Sequence, residues 1–153
     1  MERIVCILIG YIFGLFQTGY LYGRMNHVDI RKMGSGNAGS TNALRTLGVK
    51  AGVCTFLGDS FKCIFAVLAV RLIFGGNYGE ILPLLSIYAG LGAVLGHNFP
   101  FYLGFKGGKG IAAMAGLLAA LTNLWITLIA LVVFVTIVAV TKYVSVGSIR
   151  SEE

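Results

Sequence analysis

The chain has 153 residues, of which 57% are hydrophobic and only 12% are charged, and its formal net charge is +6. The mean hydropathy of +0.85 is far from the balance of a soluble domain, so that class is excluded. The positive charge would suit nucleic acid, but in a polytopic chain basic cytoplasmic loops and anionic ligands or headgroups explain it better. The composition therefore predicts a single membrane domain that binds no nucleic acid.

Apolar segments follow one another along the chain with short connectors between them. The first is too long for a signal peptide and lacks a small-residue cleavage pattern, so we expect it to stay in the membrane. Each segment is predicted to form a transmembrane helix of an all-α bundle, because a crossing needs about 20 apolar residues. A single long tilted helix is the alternative for the last two, which only Thr122 and Asn123 separate. The five segments are 4–23, 51–74, 81–95, 110–122 and 124–141.

The positions of the basic residues predict the orientation. Of the 12 lysines and arginines, nine follow the first, third or fifth segment, two lie at the opposite ends, and Lys62 lies within a segment. Because cytoplasmic loops are enriched in lysine and arginine, we expect the N-terminus outside. The nine are Arg24, Arg31, Lys32, Arg45, Lys50, Lys106, Lys109, Lys142 and Arg150, and the two are Arg3 and Arg71.

Glycine-rich polar segments follow the first and third apolar segments, on the predicted cytoplasmic face. One is GSGNAGSTNALR at residues 34–45, and the other combines GHNFP at 96–100 with FKGGKG at 105–110. Glycines allow backbone N–H groups to converge on an anion without a β-carbon in the way, and lysine, arginine, serine and asparagine add further donors. These segments therefore predict phosphate binding at a membrane surface.

An ionisable pair lies within the second apolar segment. Asp59 and Lys62 are three residues apart, so a helix places both on one face within pairing distance. Ionisable groups at membrane depth are costly unless they are paired or face a polar cavity, and they indicate a functional site. The alternative is that the second helix begins later and the pair lies in the interface.

Together these motifs resemble the bacterial acyl-phosphate:glycerol-3-phosphate acyltransferases, the PlsY family. The resemblance rests on GSGNAGSTN at 34–42 with Arg45, on GDSFK at 58–62 and on the 96–110 region, and it covers residues 1–149. KYVS at 142–145 and GSI at 147–149 are similar to a later part of the family pattern. Family members usually continue beyond it with a further membrane helix and a polar tail. The residues that depart from the pattern are Ala38, Ser40, Cys63 and Ala113.

The resemblance implies transfer of a fatty acyl group from acyl phosphate to the 1-hydroxyl of glycerol 3-phosphate, giving lysophosphatidic acid and phosphate. It implies a multi-pass protein of the bacterial cytoplasmic (inner) membrane. The chain has only six acidic residues, two of them terminal, so it lacks ligands for a two-metal site and we expect neither metal nor cofactor. Acyl phosphate is already activated, so the protein must mainly orient the hydroxyl and stabilise the oxyanion. His97, Ser35 and Lys106 are the predicted catalytic residues, with His97 as general base. The alternatives are that His97 is structural and that the leaving phosphate takes the proton.

Phosphate-binding residues are predicted in all three motifs. For the lysine-glycine loop after the third segment, the alternative is a solvated basic loop that attaches to anionic lipid. For the first motif, the alternative is a turn-rich cap on the next helix. The predicted set is Ser35, Gly36, Asn37, Thr41, Asn42, Arg45, Asp59, Lys62, Asn98, Lys106, Gly107, Gly108 and Lys109.

Two other functions remain open from the sequence. A small-anion transporter would present interrupted helices to its substrate and contain inverted repeats, which the sequence does not display. A shortened, inactive relative would bind acyl phosphate or anionic lipid without turning it over. The His-x4-Asp arrangement of other glycerolipid acyltransferases is missing, because Tyr102 stands five residues after His97 and Lys32 five residues after His27.

Overall fold

The computed structural model describes residues 1–141, and this part of the chain contains α-helices and short 3₁₀ turns but no strand. The predicted all-α fold is confirmed. The segments predicted at 142–145 and 147–149, with Lys142 and Arg150, lie outside the described residues. The helices are α1 Glu2–Gly14, α2 Thr18–Met25, α3 Ser40–Leu47, α4 Val49–Phe74, α5 Leu82–Asn98, α6 Ile111–Leu121 and α7 Leu124–Thr141.

Three helical stretches are long and apolar enough to cross a membrane: Glu2–Met25, Val49–Phe74 and Gly79–Leu103. Helix α6 has 11 residues. At about 1.5 Å per residue it is roughly half as long as the hydrocarbon core is thick. The number of crossings and the orientation therefore stay predictions.

The first apolar segment forms two helices, so the single continuous helix expected over residues 4–23 needs correction. Helix α1 ends at Gly14, and Gln17 has an extended backbone before α2 begins. The side-chain amide of Gln17 donates to the carbonyl of His97 at 2.9 Å and lies 3.3 Å from that of Gly96. These bonds to the end of α5 fix the chain in its interrupted conformation.

Helices α1 and α5 cross at very short range through glycines. Gly10 and Gly14 on α1 lie four residues apart, as do Gly92 and Gly96 on α5. A β-carbon at any of the four would collide with a backbone carbonyl of the facing helix. Small residues at this spacing let membrane helices approach closely. The crossing brings the end of α5, and with it His97, against the interruption between α1 and α2.

Helix α4 packs across α1, α5 and α6 and places the second motif inside the bundle. One buried cluster joins α1, α4 and α5 through Cys6, Val67, Val70, Leu85 and Ala89. On its other side α4 contacts α6 so closely that a β-carbon at Gly116 would collide with the carbonyl of Ser60. Because α4 and α5 are antiparallel neighbours, the start of α4 and the end of α5 lie at the same end of the bundle.

Candidate active site

Asp59, Lys62 and His97 form a buried polar cluster where α4 meets α5. Asp59 is 1% exposed, His97 2% and Lys62 4%. The ammonium of Lys62 lies 3.0 Å from Asp59 Oδ1 and 2.8 Å from His97 Nδ1. The predicted pairing of Asp59 with Lys62 is thus present in the structure. Helix α4 begins at Val49, so the later start on which the alternative depended is not observed, and the depth of the pair in the membrane stays a prediction.

The interruption of the first helix supplies the remaining contacts of this cluster. Lys62 donates to the carbonyls of Phe16 at 2.6 Å and Gly14 at 3.2 Å, both freed by the break between α1 and α2. Thr18, in the first turn of α2, donates from its hydroxyl to Asp59 Oδ1 at 3.1 Å. Interrupted helices of transporters present such carbonyls to ions. Here the carbonyls are occupied by Lys62, so the direct phosphate contact expected of Lys62 stays a prediction.

The lysine-glycine loop folds back over His97. The backbone N–H groups of Gly107 and Gly108 donate to the carbonyls of Asn98 and His97, each at 3.1 Å. A β-carbon at Gly108 would collide with His97 Nε2. The loop and the histidine ring are therefore in contact, and this contact depends on the absence of a side chain at Gly108.

Asn42 organises the first glycine-rich loop from within. Its side-chain oxygen accepts the backbone N–H of Ser35 at 3.0 Å. Its side-chain nitrogen lies within 3.0 Å of the carbonyls of Ile30, Met33 and Asn37. Because the side chain is buried and these atoms occupy its amide, Asn42 shapes the loop in this structure, and its predicted phosphate contact remains a prediction.

The two glycine-rich loops meet. Asn37 donates from its side-chain nitrogen to the carbonyl of Gly107 at 3.4 Å, while its side-chain oxygen accepts the N–H of Gly39 at 2.9 Å. Gly34 and Gly36 both have positive φ, which a side chain would strain. The structure therefore brings the first and third motifs to one end of the bundle, beside the buried cluster.

Arg31 adds a second link between the loops that the sequence did not single out. Its guanidinium contacts Asp29 at 2.9 Å, lies 3.4 Å from the carbonyl of Leu103 and sits 4.8 Å from the ring centre of Tyr20. The hydrogen bonds from Arg31 lower the pKa of Asp29 below its ordinary value. The spacing of Asp29 and Arg31 could have indicated their ion pair from the sequence. The contact of Arg31 with Leu103 could not be predicted in this way, because it spans 72 residues.

The remaining predicted cations lie at the surface around this region. Arg45, in the last turn of α3, and Lys106 and Lys109, in the loop before α6, are exposed. Within residues 1–141 none of the three makes an ion pair. Ser35 and Thr41 are half-buried, the latter in the first turn of α3. These positions leave the charged groups accessible to a phosphate ligand.

An apolar cavity of about 610 Å³ lies beside the loops, between α4, α6 and α7. Its size is within the range of roughly 300–1,000 Å³ that ligand pockets occupy. Lys109 and Gly110 contribute to the wall next to the loop. The other lining residues include Phe56, Ser60, Ile64, Met114, Leu118 and Phe134. An apolar cavity with a cation at one end suits an amphiphile with an anionic head.

Three polar atoms within the described residues are buried without a hydrogen-bond partner: Gln17 Oε1, Thr55 Oγ1 and Asn98 Oδ1. Asn98 was predicted as a site residue, and its oxygen faces Gly110, the residue before α6. Gln17 was missed, because an amide inside an apolar run reads as an isolated polar residue. Its carbonyl contacts to Gly96 and His97 span 79 and 80 residues, which no local pattern indicates.

The comparisons with known proteins all point to the same family. The profile of the glycerol-3-phosphate acyltransferase family matches residues 4–151. A glycerol-3-phosphate acyltransferase of Clostridioides difficile (strain 630) is 49% identical over 148 residues, covering 95% of this chain and 71% of the relative. The Shouchella clausii (strain KSM-K16) enzyme of the same name is 42% identical over 150 residues, covering 97% of this chain and 71% of the relative.

Solved structures agree with these relatives. The glycerol 3-phosphate form of PlsY (YgiH), an integral membrane glycerol 3-phosphate acyltransferase, is 32% identical with a TM-score of 0.77. The match covers 91% of this chain and 66% of PlsY. The lysophosphatidic acid form gives a TM-score of 0.75 at the same identity, covering 90% and 65%. These matches confirm the predicted membrane helical bundle, and the chain spans about two thirds of PlsY.

Proposed function

Because this chain belongs to the glycerol-3-phosphate acyltransferase family, we propose that it transfers a fatty acyl group from acyl phosphate to the 1-hydroxyl of glycerol 3-phosphate. The products are lysophosphatidic acid and inorganic phosphate, the first for membrane phospholipid synthesis. Two forms of the similar PlsY structure are named for glycerol 3-phosphate and lysophosphatidic acid, which are the acceptor and the product of this reaction. The observation that carries the proposal is the meeting of two glycine-rich loops beside an apolar cavity.

The chemistry needs little from the protein beyond positioning and charge. The acceptor hydroxyl attacks the acyl carbon, a tetrahedral oxyanion forms, and the carbon–oxygen bond to phosphate breaks. Both substrates are anions, so the cations around the loops offset their repulsion as they approach. The leaving phosphate gains negative charge as the carbon–oxygen bond breaks, so it can take the hydroxyl proton itself. No metal, cofactor or protein base is required by this sequence of steps.

The exposed cations around the loops form the proposed phosphate sites. The N–H groups of Gly107 and Gly108, which were predicted to bind phosphate, donate to the carbonyls of Asn98 and His97 in this structure, so their phosphate contact stays a prediction. Arg45 can bind a phosphate through two parallel N–H groups, whereas Lys106 and Lys109 act as point charges. Arg45 and Ser35 belong to the first loop region, and the two lysines flank Gly107 and Gly108 in the second. The contact of Asn37 with Gly107 joins the two loops, which supports binding of both phosphates at the same end of the bundle.

The acyl chain is proposed to occupy the cavity between α4, α6 and α7. Its walls are almost wholly apolar, and Lys109 at one end matches the phosphate head of an acyl phosphate. In this arrangement the acyl carbon lies where the cavity meets the loops. We assign the protein to the bacterial cytoplasmic membrane, where membrane lipids surround it and the loops face the supply of glycerol 3-phosphate.

Substitution of the exposed cations tests these roles. We expect Arg45→Ala and Lys106→Ala each to lower kcat/KM for phosphate release by about 10²-fold, the scale on which one transition-state donor acts. Lys50→Ala is the matched control, because Lys50 is also exposed but belongs to no motif. Wild-type rates in both loop variants would remove the site assignment. Tight binding of acyl phosphate without turnover in the unsubstituted chain would instead favour an inactive relative.

A further inference from the structure

Aromatic side chains cluster at the surface of residues 99–105, the turn between the end of α5 and the lysine-glycine loop, which we call the aromatic turn. The turn is continuous with the apolar stretch Gly79–Leu103, which is long enough to cross a membrane. Clustered exposed apolar side chains indicate a contact surface. The exposed fractions are 50% for Phe99, 58% for Phe101, 46% for Tyr102 and 61% for Phe105.

The backbone of the aromatic turn pairs its own polar groups, although it is not part of a regular α-helix. The carbonyl of Pro100 accepts the N–H groups of Leu103 at 3.1 Å and of Phe105 at 3.0 Å. The carbonyl of Phe101 accepts the N–H of Gly104 at 3.1 Å. Irregular backbone is tolerated at membrane depth only where the protein satisfies its polar groups. These hydrogen bonds therefore make the turn compatible with contact to lipid.

The polar atoms of the turn's side chains and outer backbone also bind to the protein. The Tyr102 hydroxyl donates to the carbonyl of Leu15 at 2.6 Å, in the interruption between α1 and α2. The Tyr11 hydroxyl donates to the carbonyl of Phe99 at 2.8 Å. Because these groups are bound to α1 and to the residues that follow it, the surface that the turn presents outwards is mainly apolar.

Phe105 ends the turn in a strained conformation. Its φ is 60°, a value that is an outlier for a bulky side chain. Such strain persists where the surrounding structure fixes it, and it often accompanies function. The Phe105 ring is exposed, so packing in the core does not offset this strain, whereas contact with lipid would.

We infer that the aromatic turn is an interfacial anchor, whose rings lie among the headgroups and upper acyl chains of the phospholipid leaflet beside the glycine-rich loops. Aromatic side chains are enriched at this depth of a membrane. Lys106 directly follows Phe105 and is exposed, so this cation lies at the level of the lipid phosphates, which attract basic side chains. The anchor thus holds the lysine-glycine loop at the membrane surface.

Tryptophan fluorescence in phospholipid vesicles tests the anchor without any need for turnover, because Trp125 is the single tryptophan of the chain. In a Trp125→Phe background, Phe101→Trp and Phe105→Trp each place one reporter on the turn. We expect phospholipid brominated near the top of its acyl chain to quench both reporters more strongly than phospholipid brominated near the end of the chain. Aqueous iodide should quench them weakly.

Lys32→Trp in the same background is the matched control, because Lys32 is exposed in the connection between α2 and α3 and belongs to no motif. This reporter should be quenched by iodide and little by brominated lipid. Circular dichroism checks that each variant folds, and either turn reporter decides the outcome if the other does not fold.

Three results would overturn the anchor. Turn reporters that iodide quenches as strongly as the control, with no effect of brominated lipid, would place the turn in water. Stronger quenching from the end of the acyl chain would place it in the middle of the bilayer. Weak quenching by both agents that varies with the protein-to-lipid ratio would show that a second copy of the chain covers the turn.

Discussion

Gly108 links the third motif to the buried cluster at the scale of a single residue. Its backbone N–H donates to the carbonyl of His97, and its α-carbon occupies the space next to Nε2. Glycine is required here for close approach rather than for an unusual φ, because only a residue without a β-carbon allows the loop to cover the ring. The buried cluster and the lysine-glycine loop are therefore in direct contact through Gly108 and His97, and we expect a shift of one to displace the other.

Substitution of this glycine should separate the loop from the ring. We expect Gly108→Ala to lower kcat/KM for acyl transfer by about 10²-fold, because a displacement of roughly 1 Å at a reacting site has effects of that size. Gly76→Ala is the control, since a β-carbon there has no neighbour within 4 Å. Phosphate release is measured for Gly108→Ala and Gly76→Ala under the same conditions. Equal rates in the two variants would show that the contact between the loop and the His97 ring does not matter for the reaction.

The sequence predicted the contact between Asp59 and Lys62 on their own helix but not their contacts with other helices. Asp59 and Lys62 could be paired from their spacing, because helical periodicity is local. The contacts of Lys62 with Gly14 and Phe16 span 48 and 46 residues and require an interruption that lacks proline. Gln17, which stabilises the interruption, was missed for the same reason. The ion pair of Asp59 and Lys62 could therefore be predicted from the sequence, whereas its position beneath His97 could be seen only in the tertiary structure.

At the scale of the helices, the crossing of α1 and α5 sets the geometry of the site. Gly10 and Gly14 face Gly92 and Gly96 across it, and each lies in contact with a backbone carbonyl of the other helix. Because Gly96 directly precedes His97, any separation of these helices displaces the ring from the interrupted segment. Both glycine pairs were visible in the sequence as four-residue spacings, but only the structure shows that they face each other.

An alanine at this crossing should destabilise the fold. Gly92→Ala introduces a β-carbon that collides with the carbonyl of Ile7, and overpacking of this kind costs about 1–3 kcal/mol. We expect a lower midpoint of thermal unfolding in detergent, followed by circular dichroism. Gly79→Ala, at a position with no neighbour within 4 Å, should unfold near the wild-type temperature. A Gly92→Ala midpoint equal to that of the control would show that the helices do not approach so closely.

At the scale of the whole molecule, the loops after the first and third apolar segments meet at one end of the bundle. Hydrogen bonds from Asn37 and Arg31 to the second loop span 70 and 72 residues. The positive-inside rule had already placed both loops on one face, because it depends on charge and not on packing. It could not tell which residues of the loops touch.

Cysteine labelling tests the orientation predicted from the charges. In a Cys54→Ser background the two remaining native cysteines are buried. We expect a membrane-impermeant maleimide to label Asn77→Cys in intact cells, because the loop after α4 is predicted to lie outside. Arg24→Cys should be labelled only after lysis. The opposite pattern would place the glycine-rich loops outside and contradict the cytoplasmic site.

The most direct test of the central claim is the reaction itself. The unsubstituted chain is purified, reconstituted in phospholipid vesicles and supplied with long-chain acyl phosphate and glycerol 3-phosphate, and both products are measured. The proposed function predicts lysophosphatidic acid and inorganic phosphate in a one-to-one ratio, with phosphate release dependent on glycerol 3-phosphate. Phosphate release no faster than in empty vesicles, with no lysophosphatidic acid formed, would contradict it.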